Sequence, residues 1–141
     1  MAKHWIQNTY IPQHPEKWVN NKPIRGMSSW ETRVFQVLDM NPAVTKIGSE
    51  VLQIPYYHPL KKKTCLYVPD ILVEIVNSKG KRVTYLYEIK PAKEAMVSKA
   101  RSRYDKLSLL VNMFKWKAAY KFCQERGIIF KVLTEEQLFK I

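Results

Sequence analysis

This sequence is short of the features that would mark a secreted, membrane-embedded or disulfide-stapled protein. Among 141 residues there are two cysteines, Cys65 and Cys123, far apart and with no C-x-x-C pair. Neither a disulfide framework nor a cysteine zinc site is expected, and two reduced thiols are the simpler reading. No apolar run approaches the roughly 18 residues that cross a bilayer. The first twenty residues hold no apolar block of the signal-peptide kind, so secretion is not expected. His4, His14 and His58 are scattered, which offers no histidine metal site and no histidine-dependent base. There is no Gly-rich phosphate loop and no G-x-S-x-G element, so nucleotide hydrolysis and serine hydrolase chemistry find no support. Acidic residues are also scarce: 12 Asp plus Glu stand against 24 Lys plus Arg, a net charge of +12. A surplus that large on a chain this short favours a polyanionic partner, without deciding between a scaffold and an enzyme.

What is present fits one domain of 46% apolar and 26% charged residues. Residues 1–27 contain three of the eight prolines and two of the four tryptophans, and so form no long helix. They read as an extended arm before a domain at 28–141, with Trp5, Tyr10 and Trp18 expected to lie on the protein's own core. Ser28-Ser29-Trp30-Glu31 fits a capping box. Val34, Phe35, Val37 and Leu38 then supply a helical stripe that Asn41-Pro42 ends. Three strands are expected: Glu50–Tyr56 with Val44–Ile47 leading in, Val68–Val76, and Arg82–Lys90. Asn77–Lys81 is a turn sequence with a glycine, so the last two strands form an antiparallel hairpin. Lys93–Arg126 is helical in pattern, in two pieces, with Asn112 as the expected cap of the second and Gly127 as its stop. Ile128–Leu133 reads as a buried strand, and Thr134–Gln137 opens a short last helix through another capping box. The order, αβββαβ, predicts an α/β fold with a mixed central sheet flanked by helices.

The hairpin carries the candidate chemistry. With its midpoint near Lys79 or Gly80, Asp70 falls opposite Glu88 or its neighbour, and directly opposed Cβ atoms lie about 4.5–5.5 Å apart. Glu88 and Lys90 are two apart on one strand and share a face. Two carboxylates that close are costly without a cation between them. A hard ion such as Mg²⁺ takes carboxylate and phosphate oxygens together, can activate a water and can offset charge on a leaving oxygen. The lysine could orient that water or stabilise the phosphate.

Pro69-Asp70, then Glu88-Ile89-Lys90, resembles the PD-(D/E)xK motif of restriction-endonuclease-like nucleases, whose core order is the αβββαβ read above. A wider resemblance rests on His14-Pro15-Glu16-Lys17, Ser28-Ser29-Trp30-Glu31, Asn41-Pro42, Gly48-Ser49-Glu50, Ile54-Pro55-Tyr56, Lys115–Ala119 and Phe122–Gly127. It is similar to the head-completion nucleases of large contractile-tailed bacteriophages and, in its S-x-W-E … PD … E-x-K layout, to TnsA-like transposon endonucleases. The latter can carry Gln where this chain has Glu88. The resemblance implies Glu31, Asp70 and Glu88 as acidic catalytic and metal-site residues, the Ile89 main-chain carbonyl as a further ligand and Lys90 as the catalytic lysine. It also implies Mg²⁺, replaceable by Mn²⁺, and endonuclease action on double-stranded DNA after packaging. The portal, neck or other head-completion proteins would be partners, in the host cytoplasm or the virion.

Blander roles exist for the same residues. Glu31 is explained as a helix cap, Asp70 as a turn residue, and Glu88 with Lys90 as a solvated strand face. Glu74, on the face of Asp70, is expected in a surface ion pair. Lys61, Lys62 and Lys63 precede the Asp70 strand, and Lys99, Arg101, Arg103 and Lys106 crowd what reads as one helical stretch. These seven are the expected DNA-backbone contacts, and nothing suggests reading of bases. Two alternatives to the nuclease remain: a non-catalytic head-completion protein that binds DNA and portal, and a TnsA-like transposase subunit.

Overall fold

The computed structural model describes residues 8–21, 23–26 and 29–138. The opening segment forms two short antiparallel strands, β1 (Asn8–Tyr10) and β2 (Ile24–Gly26), around a 3₁₀ turn at Pro15–Lys17. It lies against the domain it precedes, because Tyr10, Trp18 and Ile24 are buried in the first core. Trp5 and His4, and the expected cap Ser28, lie outside the described residues. Helix α1 (Ser29–Met40) buries Val34, Phe35 and Leu38, as its apolar spacing requires.

The central sheet has four strands: β3 (Val44–Ser49), β6 (Ile71–Val76), β7 (Arg82–Ile89) and β8 (Ile128–Leu133), in the order β3-β6-β7-β8. The first three run antiparallel to their neighbours, and β8 runs parallel to β7. Ile71 faces Tyr87 and Val76 faces Arg82, the first of the two expected hairpin registers. Gly80 supplies the positive φ of 75° that the turn needs.

Two expectations are corrected. The first sheet strand is Val44–Ser49 and not Glu50–Tyr56. Glu50, at φ 53°, turns the chain out of the sheet, and β4 (Ile54–His58) then pairs with β5 (Lys63–Tyr67) as a separate ribbon. A ribbon of two strands also tolerates Pro55, which a central strand would not. The second correction concerns Asn112. It caps nothing: α2 (Ala92–Ala95) is one turn, a 3₁₀ turn follows at Val97–Lys99, and α3 (Arg103–Glu125) runs unbroken through Asn112. The cap is Ser102, whose hydroxyl accepts from the Asp105 amide while the Asp105 carboxylate reaches back to the Ser102 amide. Buried Asn112 instead donates to the Glu94 carbonyl at 3.1 Å and ties α2 to α3. The last helix, α4 (Glu135–Leu138), opens with the expected box: Gln137 accepts from both the amide and the hydroxyl of Thr134 at 2.7 Å.

Alternation along the strands divides the interior in two. Ile71, Val73 and Ile89 face α1 and the opening segment, forming one core. Leu72 and Leu86 face α3 and the β4–β5 ribbon, forming the other with Ile54, Tyr56, Tyr67, Ala119 and Cys123. Even-numbered residues at the ends of β6 and β7 therefore point toward α3.

Candidate active site

Asp70 precedes β6, and Glu88 lies near the end of β7, where the hairpin register brings the two together on the α3 side of the sheet. Asp70 is anchored by the Ile89 amide, which donates to its Oδ2 at 2.8 Å. The Asp70 carbonyl accepts from the Glu50 amide at 3.0 Å, so the kink that ends β3 also fixes the aspartate. Glu88 is only 3% exposed and its Oε1 has no hydrogen-bond partner. Burial, followed by the Asp70 charge and a bond to Asp70, holds the Glu88 carboxyl well above the usual carboxylate range. Burial also raises Asp70, against the pull of the Ile89 amide and of Glu88. The two carboxyls are close enough to titrate as one coupled pair, both shifted upward by burial.

Lys90 follows directly, its amide donating to the Leu133 carbonyl at 3.0 Å. The chain beyond is pinned by Glu135, whose Oε1 accepts from the Ala92 amide at 2.6 Å. Lys90 lines a cavity of about 370 Å³ with His58, Leu60, Tyr104, Asn112 and Lys115, among others.

Lys115 is the residue that sequence reasoning missed. It is half-buried on α3, and its Nζ lies 5.7 Å from the ring centroids of both Tyr56 and Tyr67. Burial and then the charge of Lys90 push its ammonium below the usual lysine range, while Glu88 and Asp70 pull the other way. A signal was available: Lys115 falls four residues from both Val111 and Ala119, on the inward stripe of the helix. Two more buried polar atoms lack partners, Tyr67 Oη, which adjoins the same carboxylate, and Trp116 Nε1, which is close to Tyr67.

The other expected site residues are dispersed. Glu31 stands in the first turn of α1, which packs on the first core, whereas Asp70 and Glu88 face the second. Among the described residues, no three His, Cys, Asp or Glu side chains are placed to hold a metal ion. The structure thus assembles Asp70 and Glu88 beside Lys90. Glu74 accepts from Thr45 Oγ1 at 2.8 Å and lies 3.9 Å from Arg82 Nε, the ion pair expected of it. Lys61 and Lys62 form the ribbon's tip, Lys63 begins β5, and all three are exposed. Lys99, Arg101, Arg103 and Lys106 are exposed too, but not on one helix. Only Arg103 and Lys106 belong to α3, since Ser102 starts that helix afresh. Leu60 and Tyr104 line the cavity, so the lysine tip and the start of α3 stand on its rim. Phe114 is 37% exposed against Tyr57, whereas Trp116 and Phe122 pack on the second core.

Residues 41–135 match the family model described as TnsA-like endonuclease N terminal. The chain is also 34% identical, over 140 aligned residues, to the head completion nuclease of Enterobacteria phage T4, a match covering 92% of this chain and 91% of that protein. The αβββαβ order, the mixed sheet and the matched span agree, and the chain belongs to the TnsA-like endonuclease family, with a restriction-endonuclease-like fold.

Proposed function

We propose that this protein is a metal-dependent DNA endonuclease of phage head completion that cuts phosphodiester bonds with little sequence preference. The observation that carries the proposal is the buried Asp70–Glu88 pair, close to Lys90 and Lys115, which line one cavity. Two neighbouring buried carboxyls, one with an unpartnered oxygen, form a costly arrangement for a fold and a fitting one for a hard cation. The donor set would be Asp70, Glu88 and the Ile89 carbonyl, all oxygens, which suits Mg²⁺ or Mn²⁺ over a softer metal. Such an ion, when bound, lowers the pKa of its water and stabilises charge on the phosphate.

The chain's own residues supply the rest. The Ile89 amide holds Asp70 in place at 2.8 Å. The Leu133 carbonyl fixes the backbone of Lys90 at the cavity wall, where its ammonium can hold the attacking water or neutralise charge growing on the phosphate. The exposed lysines of the ribbon tip and the basic start of α3 would grip the DNA backbone on the rim. The similarity to a head completion nuclease supports the place of action, with the portal or neck as partner. Among the described residues no helix is long and apolar enough to cross a membrane.

Supercoiled plasmid incubated with the purified protein tests this reading. Nicking or linearisation is expected with Mg²⁺ or Mn²⁺ and none in EDTA. Asp70→Ala and Lys90→Ala should each reduce the rate by at least about 100-fold. Cleavage by both variants at the wild-type rate would refute the assignment.

A further inference from the structure

We propose that Lys115 is a second substrate-contacting lysine, placed with Lys90 to hold the phosphate of the DNA linkage being cut. The inference rests on the cleavage reading above and adds a residue from α3, outside the motif strands. Three observations carry it. Lys90 and Lys115 line the same cavity, although they come from different elements, one just after β7 and one from the middle of α3. Neither ammonium has a carboxylate oxygen within 4.0 Å among the described residues. The Tyr56 and Tyr67 rings, each with its centroid 5.7 Å from Lys115 Nζ and 6.5 Å from each other, wall one side of the ammonium.

Two like charges brought into one half-dry cavity repel, and an anion between them turns that cost into attraction. No carboxylate meets this need, because Asp70, Glu88 and Glu94, which also lines the cavity, all lie beyond ion-pair reach of both ammonium groups. A phosphodiester does meet it: it has two non-bridging oxygens, one for each lysine, and its charge grows in the transition state. Lys115 would therefore act more strongly on turnover than on binding, but it should contribute to both.

The test compares wild type, Lys115→Met and Lys115→Arg, with melting temperature confirming that each folds. A short fluorescent DNA duplex is titrated in EDTA at several salt concentrations, and plasmid cleavage is then followed in Mg²⁺. If Lys115 meets a phosphate, the slope of log affinity against log salt becomes shallower by about 0.9 in Lys115→Met. The kcat should fall by about 100-fold with a smaller change in KM. Lys115→Arg keeps the charge and should restore the slope and much of the rate. An unchanged slope, or a kcat within about threefold of wild type, overturns the proposal, since a lysine that only balances Asp70 and Glu88 would leave the salt slope alone. If wild type itself fails to cut, the cleavage reading falls, and the slope in EDTA still decides whether Lys115 faces phosphate.

Discussion

Asp39 has no exposed surface, yet its carboxylate accepts four hydrogen bonds from the opening segment. Tyr10 Oη and the Gln13 amide donate at 2.7 Å, the His14 amide at 3.1 Å and Trp18 Nε1 at 3.3 Å. Burial alone would raise its pKa, but the four donors outweigh that and hold it below the usual carboxylate value. A group depressed in the folded state stabilises above its unfolded pKa, and the benefit is lost as pH falls through the folded value. Asp39→Ala strands those donors and should cost on the order of 3 kcal/mol at neutral pH, read by urea denaturation. Asp39→Asn should flatten the loss of melting temperature below about pH 4. None of this was legible in the sequence, where Asp39 is one more polar residue at a helix end. Its partners lie 21 to 29 positions away, beyond the reach of any periodicity.

Glu88 shows the opposite economy. The sequence identified it correctly as the neighbour of Asp70, because a two-strand hairpin with a recognisable turn has a countable register. Burial raises its pKa, so stability associated with its protonated form is present at low pH and lost as pH rises through the folded value. Without divalent ions at pH 8, Glu88→Gln should therefore melt higher than wild type, by roughly 1–3 kcal/mol, while losing cleavage in Mg²⁺. A melting curve in EDTA and a plasmid assay check both halves. A variant less stable than wild type would mean that Glu88 is ordinary structure.

At the scale of elements, legibility followed how local each cause was. The β6–β7 hairpin, the last capping box and the stop at Gly127 are written within five residues each, and all are present. The β4–β5 ribbon was missed because its strands alternate like sheet strands, and only the left-handed turn at Glu50 separates them from β3. The start of α3 was missed because its box closes with Asp105, where Glu or Gln is commoner, and Asn112 offered a more familiar cap. The Ser102 cap fixes where the basic residues before it leave the helix. Ser102→Ala should cost about 1 kcal/mol, measured by thermal unfolding, because it strands the Asp105 amide.

For the whole molecule, the excess of 24 − 12 = 12 positive charges has a direction. The ribbon tip, with Lys61, Lys62 and Lys63, and the segment from Lys99 to Lys106 adjoin Leu60 and Tyr104, which line the cavity that holds Lys90 and Lys115. A duplex drawn in by this field would be guided over the Asp70–Glu88 pair without any base being read. The ribbon tip is the separable half of that arrangement, because its lysines are exposed and support no core. Replacing all three by alanine should leave the melting temperature unchanged. The salt slope of duplex binding in EDTA should become shallower by roughly 2.7, about 0.9 for each phosphate that the tip no longer neutralises. The change should be the same on duplexes of unrelated sequence. If the slope stays at the wild-type value, the tip does not touch the backbone, and the grip must come from the α3 rim alone. If the effect depends on sequence, the ribbon reads bases, and the low specificity assigned to this nuclease is wrong.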